Sequence, residues 1–269
     1  MRLGILCGCG HLPEIVAQAC RAPLTALVFL EGSQPFPSEV PLLQASLGSV
    51  GTILQFLKTH HVDTLVLAGA LRRPTLSELK LDATGVTWIA RLGKRSFQGD
   101  DSLLRGILAL LEEEGFTVLG LSEVMESLLA PEGVLTASAP SPEEQEDIAT
   151  GFSVLRHLGA ADVGQALIVQ QGLILGVEAI EGTLALVQRC ASLAREGRAP
   201  LLVKGAKPQQ DMRVDVPTVG IETIDAVQAA GFRGIALEAG KTCLLDREAV
   251  VQKADACGIF VVGMPVAPA

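Results

Sequence analysis

Tyrosine is missing from the 269-residue chain, tryptophan occurs once, and aromatic residues make up only 3%. An aromatic-rich core is thereby excluded, although hydrophobic residues reach 49% and mean hydropathy is +0.42. The apolar mass is Leu, Val, Ile and Ala, which suits buried parallel strands and the helices that cover them. No apolar run approaches the ~18 residues of a membrane-spanning helix. No basic region precedes an apolar stretch after Met1, so a secretory signal is not expected and a cytoplasmic location is. An excess of base is lacking too. Lys+Arg number 21 against 30 Asp+Glu, giving a net charge of −9 and a pI near 5.0. Nucleic acid is therefore not expected as the main partner, and an anionic ligand would need local cations or a metal.

Other absences concern chemistry. The six cysteines (Cys7, Cys9, Cys20, Cys190, Cys243, Cys257) contain no pair at zinc-ligand spacing and read as free thiols of a reducing compartment. No GxSxG, P-loop or HExxH motif occurs. None of the four histidines (His11, His60, His61, His157) lies near a serine or cysteine nucleophile in a familiar motif. Nucleophilic catalysis is unsupported, which leaves metal-assisted hydrolysis or plain binding.

What is present is an alternation of strand and helix patterns. Leu3–Cys7, Leu24–Leu30 and Thr64–Ala68 read as strands, and Glu14–Cys20 and Val50–Lys58 as helices. Leu103–Glu114 reads as a further helix, and Phe116–Leu121 as a strand. Such alternation predicts a parallel, doubly wound α/β sheet. Ligands of such sheets bind outside the carboxyl ends of the strands. Gly8-Cys9-Gly10-His11-Leu12-Pro13 follows the first strand and opens a helix, where backbone N–H groups can meet an anion. Gly69 to Pro74, with Arg72 and Arg73, follows the third. Gly99-Asp100-Asp101-Ser102 precedes a helix; one aspartate would serve as a cap, and two adjacent carboxylates suggest a metal or hydrogen-bonding role besides.

Residues 131–141 hold prolines among small residues without periodicity and read as a linker between a domain at 1–130 and one at 142–269. Ser141-Pro142-Glu143-Glu144 fits a capping box for a helix running to about Leu158. Ala166–Gln170 and Leu173–Glu178 read as a hairpin, and Thr183 as the cap of a helix over Leu184–Arg195. Strand Leu201–Val203 leads into the chain's densest mixture of charge. Lys204, Lys207, Asp211, Arg213 and Asp215 fall within twelve residues, between Pro208 and Pro217. Alternation in Arg213-Val214-Asp215-Val216 predicts a short second strand with Arg213 and Asp215 on one face. Cations beside carboxylates are what a site needs to hold a divalent metal with a phosphate; a solvated, self-paired loop is the other reading. A helix near Asp225–Ala230, strands at Ile235–Leu237 and Thr242–Leu245, a helix capped by Asp246 and a strand at Ile259–Val262 complete the pattern.

In order and spacing, several short blocks match one family over essentially the whole length. They are Gly8-x-Gly10-x-Leu12-Pro13, Gly69-x-x-x-Arg73-Pro74, Gly99-Asp100-Asp101-x-Leu103-Leu104-Arg105 and Glu178-Ala179-x-Glu181-Gly182-Thr183. The longest is Lys204-x-x-Lys207-Pro208-x-Gln210-Asp211-x-Arg213-x-Asp215-x-Pro217-Thr218-x-Gly220, and Glu238-Ala239-Gly240 follows with Asp246-Arg247-Glu248. The chain resembles the UDP-2,3-diacylglucosamine pyrophosphatases of lipid A biosynthesis, in the branch with a two-domain fold of its own rather than a metallophosphoesterase fold. The resemblance implies a Rossmann-like amino-terminal domain and a second α/β domain of family-specific fold, with the lipid between them. It implies hydrolysis to UMP and 2,3-diacylglucosamine 1-phosphate with Mg²⁺ (or Mn²⁺), and Asp215 as the essential catalytic residue. With it go Asp211 as a second metal ligand, Arg213 and Lys207 in catalysis, and Gly8, Gly10, Leu12, Pro13, Gly69, Arg73, Asp100, Asp101, Glu178, Glu181, Gly182, Thr183, Lys204, Gln210, Thr218, Glu238 and Gly240 around the substrate. Where the family commonly has an aspartate after Glu-Gly-Thr, this chain has Leu184. A transient membrane-surface contact and a homodimer are compatible with this reading. The rival class is a non-catalytic nucleotide-sugar binding protein that uses the Gly8–Gly10 turn. A dehydrogenase is disfavoured because Pro13 stands in the place of the third fingerprint glycine.

Overall fold

The computed structural model describes residues 1–20, 22–70, 79–93, 100–213 and 216–265, with backbone only at 100–102 and 126. The chain forms two compact units. One is Met1–Glu126 with Asp211–Asp215, and the other is Ser127–Gln210 with Val216–Ala269.

The first unit is built on five strands, β1 (Leu3–Cys7), β2 (Leu24–Leu30), β3 (Leu42–Ala45), β4 (Thr64–Ala68) and β5 (Thr117–Leu119). They lie in the order β3-β2-β1-β4-β5, and every pairing is parallel. Parallel neighbours require crossovers, supplied by helices α1 (Leu12–Ala19), α2 (Val50–Thr59), α3 (Ala83–Leu92) and α4 (Asp100–Glu113), with a short α5 (Leu121–Val124) after β5. Period-2 alternation sends Leu6, Ala26, Val28, Leu65 and Leu67 into one core with Leu54 and Leu57 of α2, Trp88 of α3 and Leu108 and Leu111 of α4. Intervening residues such as Ile5, Leu27 and Val66, also fully buried, serve the other face. Strand order reverses between β1 and β4, which is the switch point of a doubly wound sheet.

The second unit carries a six-stranded mixed sheet in the order β6-β13-β11-β9-β7-β8. Its strands are β6 (Gly133–Val134), β7 (Ala166–Gln170), β8 (Leu173–Val177), β9 (Leu201–Lys204), β11 (Gly234–Glu238) and β13 (Phe260–Met264). β9, β11 and β13 are parallel, while β6, β7 and β8 pair antiparallel with their neighbours. A separate parallel pair joins β10 (Thr218–Val219) to β12 (Cys243–Leu244). Helices α7 (Thr183–Ala191), α8 (Ile221–Ala229) and α9 (Arg247–Ala256) cover one face, packing on Ile168, Leu202, Ile235, Leu237 and Val261. Helix α6 (Pro142–Ala160) covers the other, where Ile148, Phe152 and Leu155 meet Leu167, Leu201, Val203, Ala236 and Phe260. Its start is the expected capping box, in which Ser141 Oγ accepts from Glu144 N and Glu144 Oε2 accepts from Ser141 N.

Several sequence expectations shift. Residues 131–141, expected as a linker, run along the second unit: β6 pairs with β13, Leu135 N–H bonds Val261 O, and Ala137 N–H bonds Asp255 Oδ1. Prolines and small residues suit such a sheet edge as well as they suit a linker. Of the strand expected over 213–216, Arg213 lies in a turn with Met212, Val216 is not in a strand, and residues 214–215 lie outside the described residues; β10 follows at Thr218–Val219. Thr183 does not cap α7. Gly182, at φ 80°, is the N-cap residue, and Thr183 is the first helical residue. Strand β3 and helix α3 were not anticipated.

The switch point is shaped by glycine. Gly8 N–H donates to Ala68 O at 2.7 Å, Cys9 N–H to Ala70 O at 2.7 Å, and Ala70 N–H to Cys9 O at 3.0 Å. A Cβ on Gly69, whose φ is 93°, would lie 2.6 Å from Cys9 O. Gly69→Ala should therefore lower the stability of the protein by roughly 2 kcal/mol or more in urea unfolding. Gly10 has φ 89° with nothing within 4 Å of its would-be Cβ, so Gly10→Ala should cost only backbone strain, about 1 kcal/mol. Equal costs for the two would show that the close approach at Gly69 is not the constraint.

Candidate functional site

In the second unit the sheet register sets the side of each side chain. Leu202 faces α7–α9, so Lys204, two residues on, faces the same way at the carboxyl end of β9. Lys204 is only 5% exposed. Its Nζ donates to Thr183 Oγ1 at 2.8 Å and to the carbonyl of Thr218 at 3.0 Å. Thr183 Oγ1 in turn donates to Glu178 Oε1 at 2.6 Å, and Glu178 Oε2 accepts from Gln165 N at 3.2 Å. Glu178 is also buried. A relay of Lys204, Thr183 and Glu178 thus joins the ends of β9 and β8 to the first turn of α7. Burying polar side chains is tolerated where they are hydrogen-bonded, and the Thr183 hydroxyl serves both Lys204 and Glu178 here.

The loop between β8 and α7 is clamped from outside. Arg189 of α7 donates through Nε and Nη2 to Glu181 Oε1 at 3.0 and 2.9 Å, and through Nη2 to Val177 O at 2.5 Å. Glu181 Oε2 accepts from Ala179 N at 3.1 Å. The backbone N–H of Glu181 is the leading cause of its lowered pKa, with Arg189 contributing.

Other residues expected at the site stand elsewhere in this unit. Glu238 leaves β11 on the α6 side, because Ala236 faces α6. Its Oε2 accepts from Ala206 N at 2.9 Å, and its Oε1 pairs with Lys241 Nζ at 2.8 Å. Lys204 and Glu238 therefore leave adjacent strands on opposite faces. Lys207 Nζ pairs with Asp162 Oδ1 at 2.6 Å. Gln210 accepts from Lys207 N at 2.9 Å and donates to Gln165 Oε1 at 3.1 Å. Thr218 contributes its carbonyl to Lys204 and its hydroxyl to Val216 O at 2.9 Å. Gly240, at φ 72°, makes the turn after β11, and its N–H bonds Ala130 O.

In the first unit, Gly8 and Gly69 shape the switch point, while Leu12 and Pro13 are buried in the first turn of α1. The N–H groups of Gly8 and Cys9 are engaged with carbonyls, so an anion there would draw on N–H groups from Gly10 onward. Arg213 grips Asp211, with Nε at 3.0 and 3.2 Å from its two oxygens and Nη2 at 2.7 Å. Arg213 Nη1 donates to Glu112 Oε1 of α4 at 2.6 Å. The Arg213 guanidinium holds the Asp211 carboxyl below its ordinary pKa, against the opposing effect of burial. Arg73 and Asp215 lie outside the described residues, as do the side chains of Asp100 and Asp101.

Among the described residues, no group of three or more His, Cys, Asp or Glu side chains could hold a metal ion. Of the two ligands nominated from sequence, Asp211 is occupied by Arg213 and Asp215 is not described. The described donors alone therefore do not make a site for Mg²⁺ or Mn²⁺. Sequence reasoning missed Gln165, Asp162, Arg189 and Glu112. Their partners lie 13 to 101 residues away for Gln165, Asp162 and Glu112, and Arg189 looks like any surface arginine of a helix.

A doubly wound parallel unit plus a mixed-sheet unit with a buried Lys–Thr–Glu relay defines a two-domain α/β protein with a polar site at strand ends. Residues 2–128 match the family model of the LpxI N-terminal domain, and residues 131–262 match that of the LpxI C-terminal domain. The UDP-2,3-diacylglucosamine pyrophosphatase LpxI of Caulobacter vibrioides is 39% identical over 272 residues, covering 98% of this chain and 97% of that protein. The chain belongs to the LpxI family.

Two outcomes are expected. Thr183→Val keeps the volume but removes the hydroxyl between Lys204 and Glu178. Unfolding free energy in urea should drop by about 1–3 kcal/mol, and Thr183→Ser should recover most of it; a valine protein as stable as the parent would refute the relay. Asp211 has a lowered folded-state pKa, so its contribution is full above the ordinary aspartate value of about 3.9 and lost as pH falls through the depressed value. The stability difference between the parent and Asp211→Asn should stay constant from pH 7 to pH 5, then vanish in acid. A difference that persists undiminished below that range would exclude the Arg213 pairing as its source.

Proposed function

We propose that this chain hydrolyses the diphosphate of UDP-2,3-diacylglucosamine, releasing UMP and 2,3-diacylglucosamine 1-phosphate, with Mg²⁺ (or Mn²⁺) as its cofactor, in the synthesis of lipid A. The observation that carries the reading is the near full-length likeness to the Caulobacter pyrophosphatase, with both family domains matched in order. The chain is then a pyrophosphatase, a hydrolase of a lipid-linked nucleotide sugar.

The chemistry asks for stabilisation of negative charge on phosphoryl oxygens and for an oriented water, with little covalent work by protein groups. A divalent cation, when bound, would supply Lewis acidity to the diphosphate. Lys204, buried and oriented by Thr183 and the Thr218 carbonyl, supplies fixed positive charge where the dielectric is low, so its effect on a phosphate is larger than in water. Glu178 balances that charge through Thr183 when substrate is absent. Asp215 acts as the residue that orients water or binds metal.

No helix among the described residues is long and apolar enough to cross a membrane. The reading adds a cytoplasmic location, a transient membrane-surface contact through the lipid, and a homodimer.

The decisive test incubates the protein with UDP-2,3-diacylglucosamine in Mg²⁺, in Mn²⁺ and in EDTA, with UMP release followed. Release in metal, none in EDTA, and a loss of about 10²–10⁴-fold for folded Asp215→Asn are expected. Tight binding of the nucleotide sugar without UMP release would instead make the chain a non-catalytic nucleotide-sugar binding protein.

A further inference from the structure

Arg189 lies in no sequence block that suggests function, yet its guanidinium brackets the turn that carries Glu178 and leads to Thr183. Nη2 donates to the carbonyl of Val177, the residue before Glu178, at 2.5 Å. Nε and Nη2 donate to Glu181 Oε1, two residues before Thr183, at 3.0 and 2.9 Å. Glu181 Oε2 returns to the backbone and accepts from Ala179 N at 3.1 Å. One planar cation thus closes the turn from Val177 to Glu181 at both ends. A guanidinium fork sets direction as well as distance, which an ammonium would not.

A second, independent observation comes from Gly176 of β8. A Cβ there would come within 3.0 Å of Arg189 Nη1. The guanidinium therefore lies against bare backbone, in room that a side chain would take. Nε and Nη2 commit three of the five N–H donors to the turn, and Nη1 lies 4.0 Å from Cys190 Sγ. Arg189 is engaged with the turn rather than held ready for a ligand.

We infer that Arg189 is a positioning residue for the reaction, acting on Lys204 through Thr183. Glu178 has anchors of its own, because its N–H bonds Ala166 O and its Oε2 accepts from Gln165 N. Thr183 instead depends on where the turn delivers the start of α7, since Gly182 before it supplies no side-chain cap. By holding Val177 and Glu181, Arg189 sets where Thr183 Oγ1 stands between Glu178 Oε1 at 2.6 Å and Lys204 Nζ at 2.8 Å. That hydroxyl aims the ammonium. A loosened turn lets the Lys204 charge drift from the phosphoryl oxygens it serves, and small misplacements of such a group cost rate steeply.

This inference rests on the hydrolase reading above, and the experiment separates the two. Parent, Arg189→Gln, Thr183→Val and the double variant are compared in UMP release from UDP-2,3-diacylglucosamine with Mg²⁺ and with Mn²⁺, and in urea unfolding. The Arg189 side chain is 46% exposed, and ion pairs of that exposure add little stability, so Arg189→Gln should unfold close to the parent. Its kcat should fall about tenfold, with KM within about twofold. In the Thr183→Val background the same change should lower kcat by less than about twofold, because the hydroxyl it positions is gone. Amide hydrogen exchange gives a reading that does not need the double variant to fold: in Arg189→Gln the Ala179 amide should exchange faster while β7 and β9 keep their protection. Unchanged kcat in Arg189→Gln would overturn the inference, as would unchanged exchange at Ala179. So would losses that multiply in the double variant, since Arg189 would then act by another route, or a loss of kcat that only tracks the unfolded fraction. A parent that releases no UMP with either metal sinks the hydrolase reading and the inference with it; an active parent with an equally active Arg189→Gln sinks the inference alone.

Discussion

A lysine ammonium sealed at the end of β9 constrains its surroundings more than any other group in the second unit. A buried charge must find partners or give up its proton. Among the described residues, Lys204 bonds a hydroxyl and a carbonyl, with a glutamate one bond further away. Each requires a piece of backbone in one place. Thr183 reaches Lys204 only because α7 begins at Gly182 with a positive φ, which few other residues adopt at low cost. Glu178 is in reach because β8 ends one residue earlier and its backbone N–H bonds Ala166 O. The Thr218 carbonyl arrives because β10 pairs with β12.

The first unit solves a different problem with different means. At its switch point the chain uses the lack of side chains, and crossed backbone bonds fix the ends of β1 and β4. Charge enters through the Asp211–Arg213 turn and α4, where arginine sits between two carboxylates. Ion pairs of that exposure contribute little stability individually. Their value lies in direction, because a forked guanidinium permits few arrangements.

Much of this could be read from the sequence. β1, β2, β4 and β7 span the residues their patterns indicate, because continuous runs of Leu, Val and Ile have no stable alternative to burial. The Ser141 box and the Asp246 cap were legible because capping is local chemistry. β3 was not, since Leu42-Leu43-Gln44-Ala45 is half exposed and gains its identity from pairing with β2. α3 was hidden by its Gly and β-branched residues, which tertiary packing of Trp88 overrides. At the site, Lys204, Thr183, Glu178 and Thr218 were named from motifs, but their relay depends on register that no local pattern encodes. The partners of Lys207 and Arg213, Asp162 and Glu112, come from distant parts of the chain and carry no local signal. The separation of Glu238 from Lys204 follows from strand parity alone.

The assignment of Asp211–Asp215 to the first unit has a consequence for synthesis. The contiguous part of that unit ends at Glu126, yet its last piece is not made until the ribosome has passed residue 210. Sheet β3-β2-β1-β4-β5 can form early on the nascent polypeptide, but Glu112 of α4 must wait for Arg213 while most of the other unit is translated. The Asp211–Arg213 turn is thus put in place late, after the framework that receives it.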